Sequence, residues 1–283
     1  MSDLVAHSEP AEEEDEELPA WSLPQDAVDR IRVAPLWPEA VSREWAFGGS
    51  TGAGVRVAIL DSGIEPGHPL VGEVQQAYEV SVDADGDFAI DVDEVGDRCG
   101  HGTACAGIVR SLAPDCELIS VRVLGEGYTG SGRVMLAGLR WAIEEGFDVV
   151  NMSLSTTKKD LAALLHELAD EAYFRRTLLV ASAHNMPVES YPWRFSSVIS
   201  VGSHEESDPL VYYFNPEPPV EFFARGLEID VAWLGGTTLR CTGNSFATPH
   251  ISGISALILG KHRGLTPFQL KSILSLTANN VAP

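Results

Sequence analysis

The stretch Val55-Arg-Val-Ala-Ile-Leu60 is a short, almost continuously apolar run, and Asp61-Ser-Gly63 follows it directly. A run of this length and composition is typical of a strand that is buried on both faces of a parallel sheet. Comparable runs recur at Glu117–Val123, Val149–Ser153, Leu178–Ala183 and Val198–Val201. Their repetition predicts a sheet whose strands are mostly parallel.

Helical patterns lie between and after these runs. Gly132–Glu145 and Asp160–Arg176 carry apolar residues at three- and four-residue spacing. Ser245–His262 is apolar and rich in small residues, and Thr266-Pro267 supplies the N-cap and first-turn proline of a last helix. Strands that alternate with helices predict an α/β fold of three layers, α/β/α, around a mostly parallel central sheet.

The formal net charge of the 283 residues is −22, and eight acidic residues without any lysine or arginine fall within residues 1–17. Like-charge blocks of this kind are typically solvated, so we predict a disordered acidic tail over residues 1–28 and one folded domain over residues 29–283. The acidic body would repel phosphate backbones, which argues against nucleic acid as a partner.

Composition also bears on location and metal binding. The sequence has no apolar run of membrane-spanning length and no signal-peptide pattern at its start, so we expect no membrane partner and a cytoplasmic protein. The four cysteines are then expected to be reduced. Cys99 and Cys105 flank His101, but no Cys-x-x-Cys pair completes a zinc site, so no metal or other cofactor is expected.

A cluster of aspartates lies between residues 83 and 93, at Asp83, Asp85, Asp87, Asp91 and Asp93. The cluster lacks the spaced glycine and the terminal glutamate of an EF-hand loop. We therefore interpret it as a solvated acidic loop.

Three polar residues stand where strands meet loops or helices. Asp61 follows a predicted strand, His101 lies between two glycines at the start of an apolar stretch, and Ser245 begins a predicted helix. Each has an ordinary interpretation, as a turn residue, a buried structural histidine or an N-cap. Taken together, an acid, a base and a hydroxyl in this order favour nucleophilic catalysis.

The sequence around these residues resembles the subtilisin-like serine protease family over roughly residues 50–277. The stretches that carry the resemblance are Asp61-Ser-Gly-Ile, Gly100-His-Gly-Thr-Ala-Cys-Ala-Gly and Gly243-Asn-Ser-Phe-Ala-Thr-Pro-His-Ile-Ser-Gly. The resemblance implies that Ser245 attacks the scissile carbonyl, that His101 transfers the proton and that Asp61 orients His101. It also places Asn185 in an oxyanion hole and Cys105 beside His101.

The same resemblance implies a peptide or protein substrate, extended between the segments 125–132 and 153–155. The implied substrate-binding residues are Gly125, Gly127, Gly130, Ser153, Leu154, Ser155 and His184. Resemblance to intracellular family members further suggests that an N-terminal segment, Glu17–Pro24, blocks the cleft.

Three positions depart from the family pattern, since His184 and Ser155 replace glycines and Asn244 replaces a threonine. The added side chains should narrow the specificity pocket, with Glu189 and Trp193 as further candidate neighbours. We therefore expect a serine endopeptidase of restricted specificity that processes particular substrates. The alternative is a catalytically impaired pseudoprotease that uses the groove to bind peptides.

Overall fold

The computed structural model describes residues 37–82 and 87–281, except for the side chain of Tyr128. The chain divides into two compact units, residues 1–39 and 40–283. The predicted tail, the boundary at residue 28 and the segment Glu17–Pro24 all lie outside the described residues. The second unit contains all the elements below.

Eleven strands are present in the described part of the chain. They are β1 (Arg56–Asp61), β2 (Gln76–Val82), β3 (Phe88–Val92), β4 (Glu117–Arg122), β5 (Val149–Met152), β6 (Leu178–Ser182), β7 (Ile199–His204), β8 (Tyr212–Phe214), β9 (Phe222–Arg225), β10 (Ile229–Trp233) and β11 (Thr237–Cys241).

The first nine strands form one sheet in the order β3-β2-β4-β1-β5-β6-β7-β9-β8, and β10 and β11 form a separate antiparallel pair. The six central pairings, from β2–β4 to β7–β9, are parallel, and only the edge pairings β2–β3 and β8–β9 are antiparallel. The prediction of a mostly parallel central sheet is confirmed.

Six α-helices accompany the strands in the described residues. They are α1 (Arg43–Phe47), α2 (His101–Leu112), α3 (Gly132–Glu144), α4 (Ala162–Arg175), α5 (Asn244–Lys261) and α6 (Pro267–Leu276). Short 3-10 helices span Glu126–Tyr128 and Lys159–Leu161. Among these helices, none combines the length and the apolar character that crossing a membrane requires.

Two buried apolar clusters cover the two faces of the sheet. One combines sheet residues with side chains from α2, α5 and α6, and the other combines them with α3 and α4. The predicted α/β/α layering is therefore confirmed. Strands β1, β5 and β6 are buried along almost their whole length, as their apolar runs predict.

The structure describes part of the predicted acidic cluster, including Asp91 and Asp93, whereas Asp83 and Asp85 lie outside the described residues. Asp91 belongs to β3, and Asp93 is buried, where its carboxylate accepts from Arg122 Nε at 2.9 Å. Arg122 also pairs with Glu79. The interpretation as a solvated acidic loop is wrong for Asp93, because it is buried and Arg122 compensates its charge. Asp91 is solvent-exposed, but it lies in a strand and not in a loop.

Candidate active site

The carboxyl end of β1 brings Asp61 against His101, the first residue of α2. Asp61 is fully buried, and its two carboxylate oxygens lie 2.8 and 2.9 Å from His101 Nδ1. This contact assigns the ring proton to Nδ1, so Nε2 is the nitrogen that can accept a proton from a hydroxyl. The approach is close because residue 102 is glycine: a Cβ there would lie 2.0 Å from the Gly63 carbonyl oxygen.

Asp97 holds the loop that carries His101, a role that sequence analysis missed. Its Oδ1 accepts the Ser62 hydroxyl at 2.8 Å and the Gly100 amide at 2.9 Å. Its Oδ2 accepts the amide and the hydroxyl of Thr103. Gly100, the N-cap of α2, has no side chain, so Asp97 provides the capping oxygens from outside the helix. The Asp-x-x-Gly spacing at residues 97–100 is the sequence signal that could have indicated this capping role.

Opposing effects act on the pKa of His101. Burial lowers the pKa, but the attraction of the Asp61 carboxylate, with a further contribution from Cys105, outweighs burial and raises it well above 6.5. The charged imidazolium is therefore stabilised in place. A histidine in this position can receive a proton during a reaction at reduced cost.

Cys105 lies one helical turn after His101 and is fully buried. Its Sγ is 4.0 Å from His101 Nδ1 and 3.7 Å from the Ser245 carbonyl oxygen, and burial raises its pKa, so the thiol is neutral. The donor atoms of Asp61, His101 and Cys105 lie within 4.8 Å of one another. The expectation that no metal binds stays a prediction.

Ser245 lies in the first turn of α5, where Gly243 is the N-cap, so the interpretation of Ser245 as a cap is wrong. Pro249 follows four residues later and has no amide proton to donate to the Ser245 carbonyl. That carbonyl instead accepts the Ser153 hydroxyl at 2.7 Å. The start of α5 is thereby tied to the end of β5.

Asn185 and Asn244 are joined by a hydrogen bond beside Ser245. Asn185 Oδ1 accepts the Asn244 backbone N–H at 2.9 Å, which leaves Asn185 Nδ2 as a donor for another group. Asn244 Oδ1 accepts the amide and hydroxyl of Ser203, while its Nδ2 donates to the Ala183 and His184 carbonyls. Asparagine at position 244 therefore fixes the segment that carries Asn185.

Most of the predicted site residues line one cavity of about 320 Å³. His101, Ser245 and Asn185 line it together with Gly130, Ser153, Leu154, Ser155 and His184. Within the described chain, Gly125 and Gly127 lie in the same segment as Gly130 but outside this lining. Their role in binding substrate stays a prediction.

Glu189 and Trp193 lie outside the cavity lining within the described residues, so their prediction as pocket neighbours is wrong. Glu189 is held by the Tyr191 hydroxyl at 2.8 Å and by Lys159 at 3.4 Å. Trp193 is buried in the core and donates to Ser190 Oγ. Six residues that line the cavity lie outside the predicted segments and were missed by sequence analysis: Leu124, Met135, Thr156, Lys158, Ser182 and Ala183.

Comparison with known proteins identifies relatives that are similar in sequence and in fold. The subtilase family pattern matches residues 52–283. Subtilisin DY of Bacillus licheniformis is 31% identical over 251 residues, which are 82% of this chain and 86% of that protein. Subtilisin Savinase of Lederbergia lenta is 30% identical over 244 residues, again 82% of this chain and 86% of the relative.

Among solved structures, a cold-adapted subtilisin-like serine proteinase is similar, with a TM-score of 0.69 and 28% identity. The match covers 83% of this chain and 86% of the other. The family match spans most of the chain and includes Asp61, His101 and Ser245. The chain belongs to the subtilase family and is a subtilisin-like serine protease.

Proposed function

We propose that this protease is a cytoplasmic processing endopeptidase of restricted specificity in which Asp61, His101 and Ser245 form the catalytic triad. The observation that supports the triad best is the buried Asp61–His101 contact of 2.8 Å, on a cavity that Ser245 also lines. A peptide in this cavity meets a hydroxyl, an imidazole and an amide donor within one small volume.

In the proposed reaction, Ser245 Oγ attacks the scissile carbonyl carbon while His101 Nε2 takes the hydroxyl proton. Asp61 stabilises the imidazolium, consistent with the raised pKa of His101. Asn185 Nδ2 donates to the oxyanion, and His101 then protonates the leaving amine. Water completes the cycle by hydrolysing the acyl-enzyme, with His101 again acting as base and then as acid.

Restricted specificity is supported by the side chains on the cavity wall. Ser155 and His184 both line the cavity, at positions where the family usually has glycine. A larger and more polar wall admits fewer substrate side chains, because poor fits leave gaps or unpaired polar groups. The cytoplasmic location accords with four free cysteines, all within the described residues.

The proposal includes an autoinhibitory role for Glu17–Pro24. Its support comes from sequence alone: prolines at both ends of the core Pro19–Pro24 resist cleavage, and Trp21 offers a large apolar side chain for a pocket. Removal of residues 1–28 should therefore raise the reaction rate of the active site.

Labelling with a fluorophosphonate probe tests the proposal, since an activated serine hydroxyl attacks the probe and remains bound to it. We expect the full chain to be labelled, the Ser245→Ala variant to remain unlabelled, and a chain lacking residues 1–28 to be labelled faster. A peptide library should then be cleaved at few sequences.

Autoinhibition, restricted specificity and catalysis would each be contradicted by a different result. Equal labelling rates with and without residues 1–28 would refute autoinhibition, and cleavage of most library members would refute restricted specificity. An absence of labelling in both the full and the shortened chain would favour the alternative, a peptide-binding pseudoprotease.

A further inference from the structure

The cavity beside Ser245 has a charge that differs in sign from the rest of the protein. The chain has 41 acidic and 19 basic residues, yet the ionisable side chains lining the cavity in the described structure are His101, Lys158 and His184, with no Asp or Glu. An acidic protein thus has a substrate groove lined only by groups that are neutral or positive. Low-dielectric walls strengthen the field of such groups inside a cleft.

Lys158 supplies the permanent charge in this groove. Its side chain is exposed, and its ammonium group makes no hydrogen bond or ion pair with any residue that the structure describes. The next residue, Lys159, differs, because its ammonium lies 3.4 Å from the Glu189 carboxylate. Two adjacent lysines therefore have different environments, and only Lys158 combines a place in the cavity wall with an uncompensated charge.

The backbone of Lys158 is fixed by two hydrogen bonds, although its ammonium group has no partner among the described residues. Its N–H donates to Thr156 Oγ1 at 3.2 Å, and its carbonyl accepts the Leu161 amide at 3.2 Å. A methyl group added at Gly132 would lie 3.9 Å from Lys158 Cδ. The aliphatic stem therefore passes close to Gly132, at the end of the segment 125–132.

His184 contributes a polar ring to the same groove. Its Nδ1 lies 3.0 Å from the Met186 backbone nitrogen and 3.3 Å from the Met186 carbonyl oxygen. Nε2 has no partner among the described residues. The lining of the groove therefore offers the Lys158 ammonium group as a donor and, within the described residues, lacks carboxylate acceptors.

We propose that Lys158 selects substrates with an Asp or Glu side chain in the stretch bound between segments 125–132 and 153–155. The inference rests on the proposed function and names its substrate class. A carboxylate there gains a charge-assisted hydrogen bond, and Lys158 gives up no existing partner to form it. A lysine or arginine at the same substrate position would be repelled.

Binding to the full-length Ser245→Ala chain tests the proposal without cleavage. Fluorescent peptides are compared in pairs that differ only by Glu or Gln, with the exchange moved through every position, and affinity is measured by anisotropy. We expect Glu to bind about two- to five-fold more tightly at one position, the range of a solvent-accessible ion pair. The preference should shrink at high ionic strength.

Lys158→Gln and Lys159→Gln, each made in the Ser245→Ala chain, are the matched pair of variants. Lys158→Gln should bring the Glu-to-Gln affinity ratio to about one, whereas Lys159→Gln should retain the preference, since Lys159 is already paired. A ratio near one at every position of the starting chain would overturn the proposal. So would a preference that survives Lys158→Gln.

The same peptides given to the chain with Ser245 intact separate this proposal from the proposed function. Cleavage of the Gln and Glu members at equal kcat/KM would overturn the role of Lys158 and leave the endopeptidase standing. A Glu preference in binding without cleavage of any peptide would overturn the endopeptidase and support the role of Lys158. Peptides that neither bind nor react, both with the full chain and with the chain lacking residues 1–28, would overturn both.

Discussion

Single side chains in this site use one polar atom for support and present another to the cavity. Asn185 shows this most clearly, since its Oδ1 accepts the Asn244 amide at 2.9 Å while its Nδ2 stays available as a donor. Because the supporting bond fixes which way the amide faces, Asn185 can meet a developing oxyanion without reorganisation. Mutation can test the acceptor and the donor of this side chain separately.

Asn185→Asp keeps the acceptor for the Asn244 amide and removes the donor. We expect Asn185→Asp and Asn185→Ala each to lower kcat by about 100- to 1,000-fold or more, with little change in KM, a magnitude known from subtilisin itself. Steady-state kinetics on one peptide measures both parameters. Near-normal kcat in Asn185→Asp would show that the acceptor, and not the donor, matters.

The helix α5 is joined to the sheet through the carbonyl group that Pro249 leaves without a helical donor. Ser153 Oγ donates to the Ser245 carbonyl at 2.7 Å and accepts from Asn151 Nδ2 at 3.0 Å. Asn151 Oδ1 in turn accepts the Ser252 hydroxyl at 2.9 Å. Because Pro249 cannot donate to the Ser245 carbonyl, that carbonyl can accept the Ser153 hydroxyl, and this bond connects the backbone at residue 245 to the end of β5.

Removal of the Ser153 hydroxyl should disturb both stability and catalysis. Ser153→Ala leaves the Ser245 carbonyl and the Asn151 amide without this partner, which we expect to cost about 1–3 kcal/mol of unfolding free energy and to lower kcat. Denaturant unfolding, in a Ser245→Ala background that prevents self-digestion, measures the first effect. Peptide hydrolysis by the single variant measures the second.

Ser255→Ala is the matched control on α5 itself. The Ser255 hydroxyl is buried and has no hydrogen-bond partner among the described residues, so its loss should leave stability unchanged or improve it. If Ser153→Ala and Ser255→Ala changed the unfolding free energy equally, the loss of a hydroxyl alone would explain both. The proposed link through the Ser245 carbonyl would then be wrong.

The elements differ in how far sequence alone could predict them. Buried strands such as β1 and β6 are continuous apolar runs, so their pattern is visible locally. The predicted ends of these two strands lie within one residue of the observed ends. Strand β2, next to the edge strand β3, is partly exposed and mixes polar with apolar residues, and the β10–β11 pair lies outside the main sheet. The sequences of these strands therefore carry weaker signals.

The site shows the same division between local and tertiary information. Asp61, His101 and Ser245 stand in short motifs that could be recognised in sequence. The Asp-x-x-Gly spacing indicates at most that Asp97 can cap α2. Its contact with Ser62, 35 positions away, and the place of Lys158 in the cavity wall beside Gly132 could not be predicted, because the fold creates them.

Two buried histidines make the stability of the whole molecule depend on pH in separate ranges. The raised pKa of His101 means that its contribution is fully present below 6.5 and is lost as pH rises through the folded-state value. His250 has the opposite shift. Burial chiefly, with the positive charges of Arg225 and His204, lowers the pKa of His250 from 6.5 to about 4, although the Phe246 carbonyl favours the charged form.

His250 should therefore destabilise the protein as the solution becomes more acidic. Between pH 6.5 and about 4 the unfolded chain binds a proton at His250 that the folded chain does not. The free energy of unfolding therefore decreases as the pH is lowered through this range, by roughly 3 kcal/mol at most. His250→Gln keeps a side-chain donor for the Phe246 carbonyl, now 2.9 Å from His250 Nδ1, but cannot titrate. We expect this variant to flatten the slope in that range.

Denaturant unfolding of the Ser245→Ala chain, with and without His250→Gln, measures the two slopes. Above pH 6.5 His250 is neutral in both the folded and the unfolded state, so the two proteins should there show parallel pH dependence even if the substitution shifts overall stability. Only the range below 6.5 should differ, because only there does proton binding distinguish the two states of His250. Equal slopes in both ranges would mean that another group causes the acid instability, and that the folded interior tolerates a charged His250.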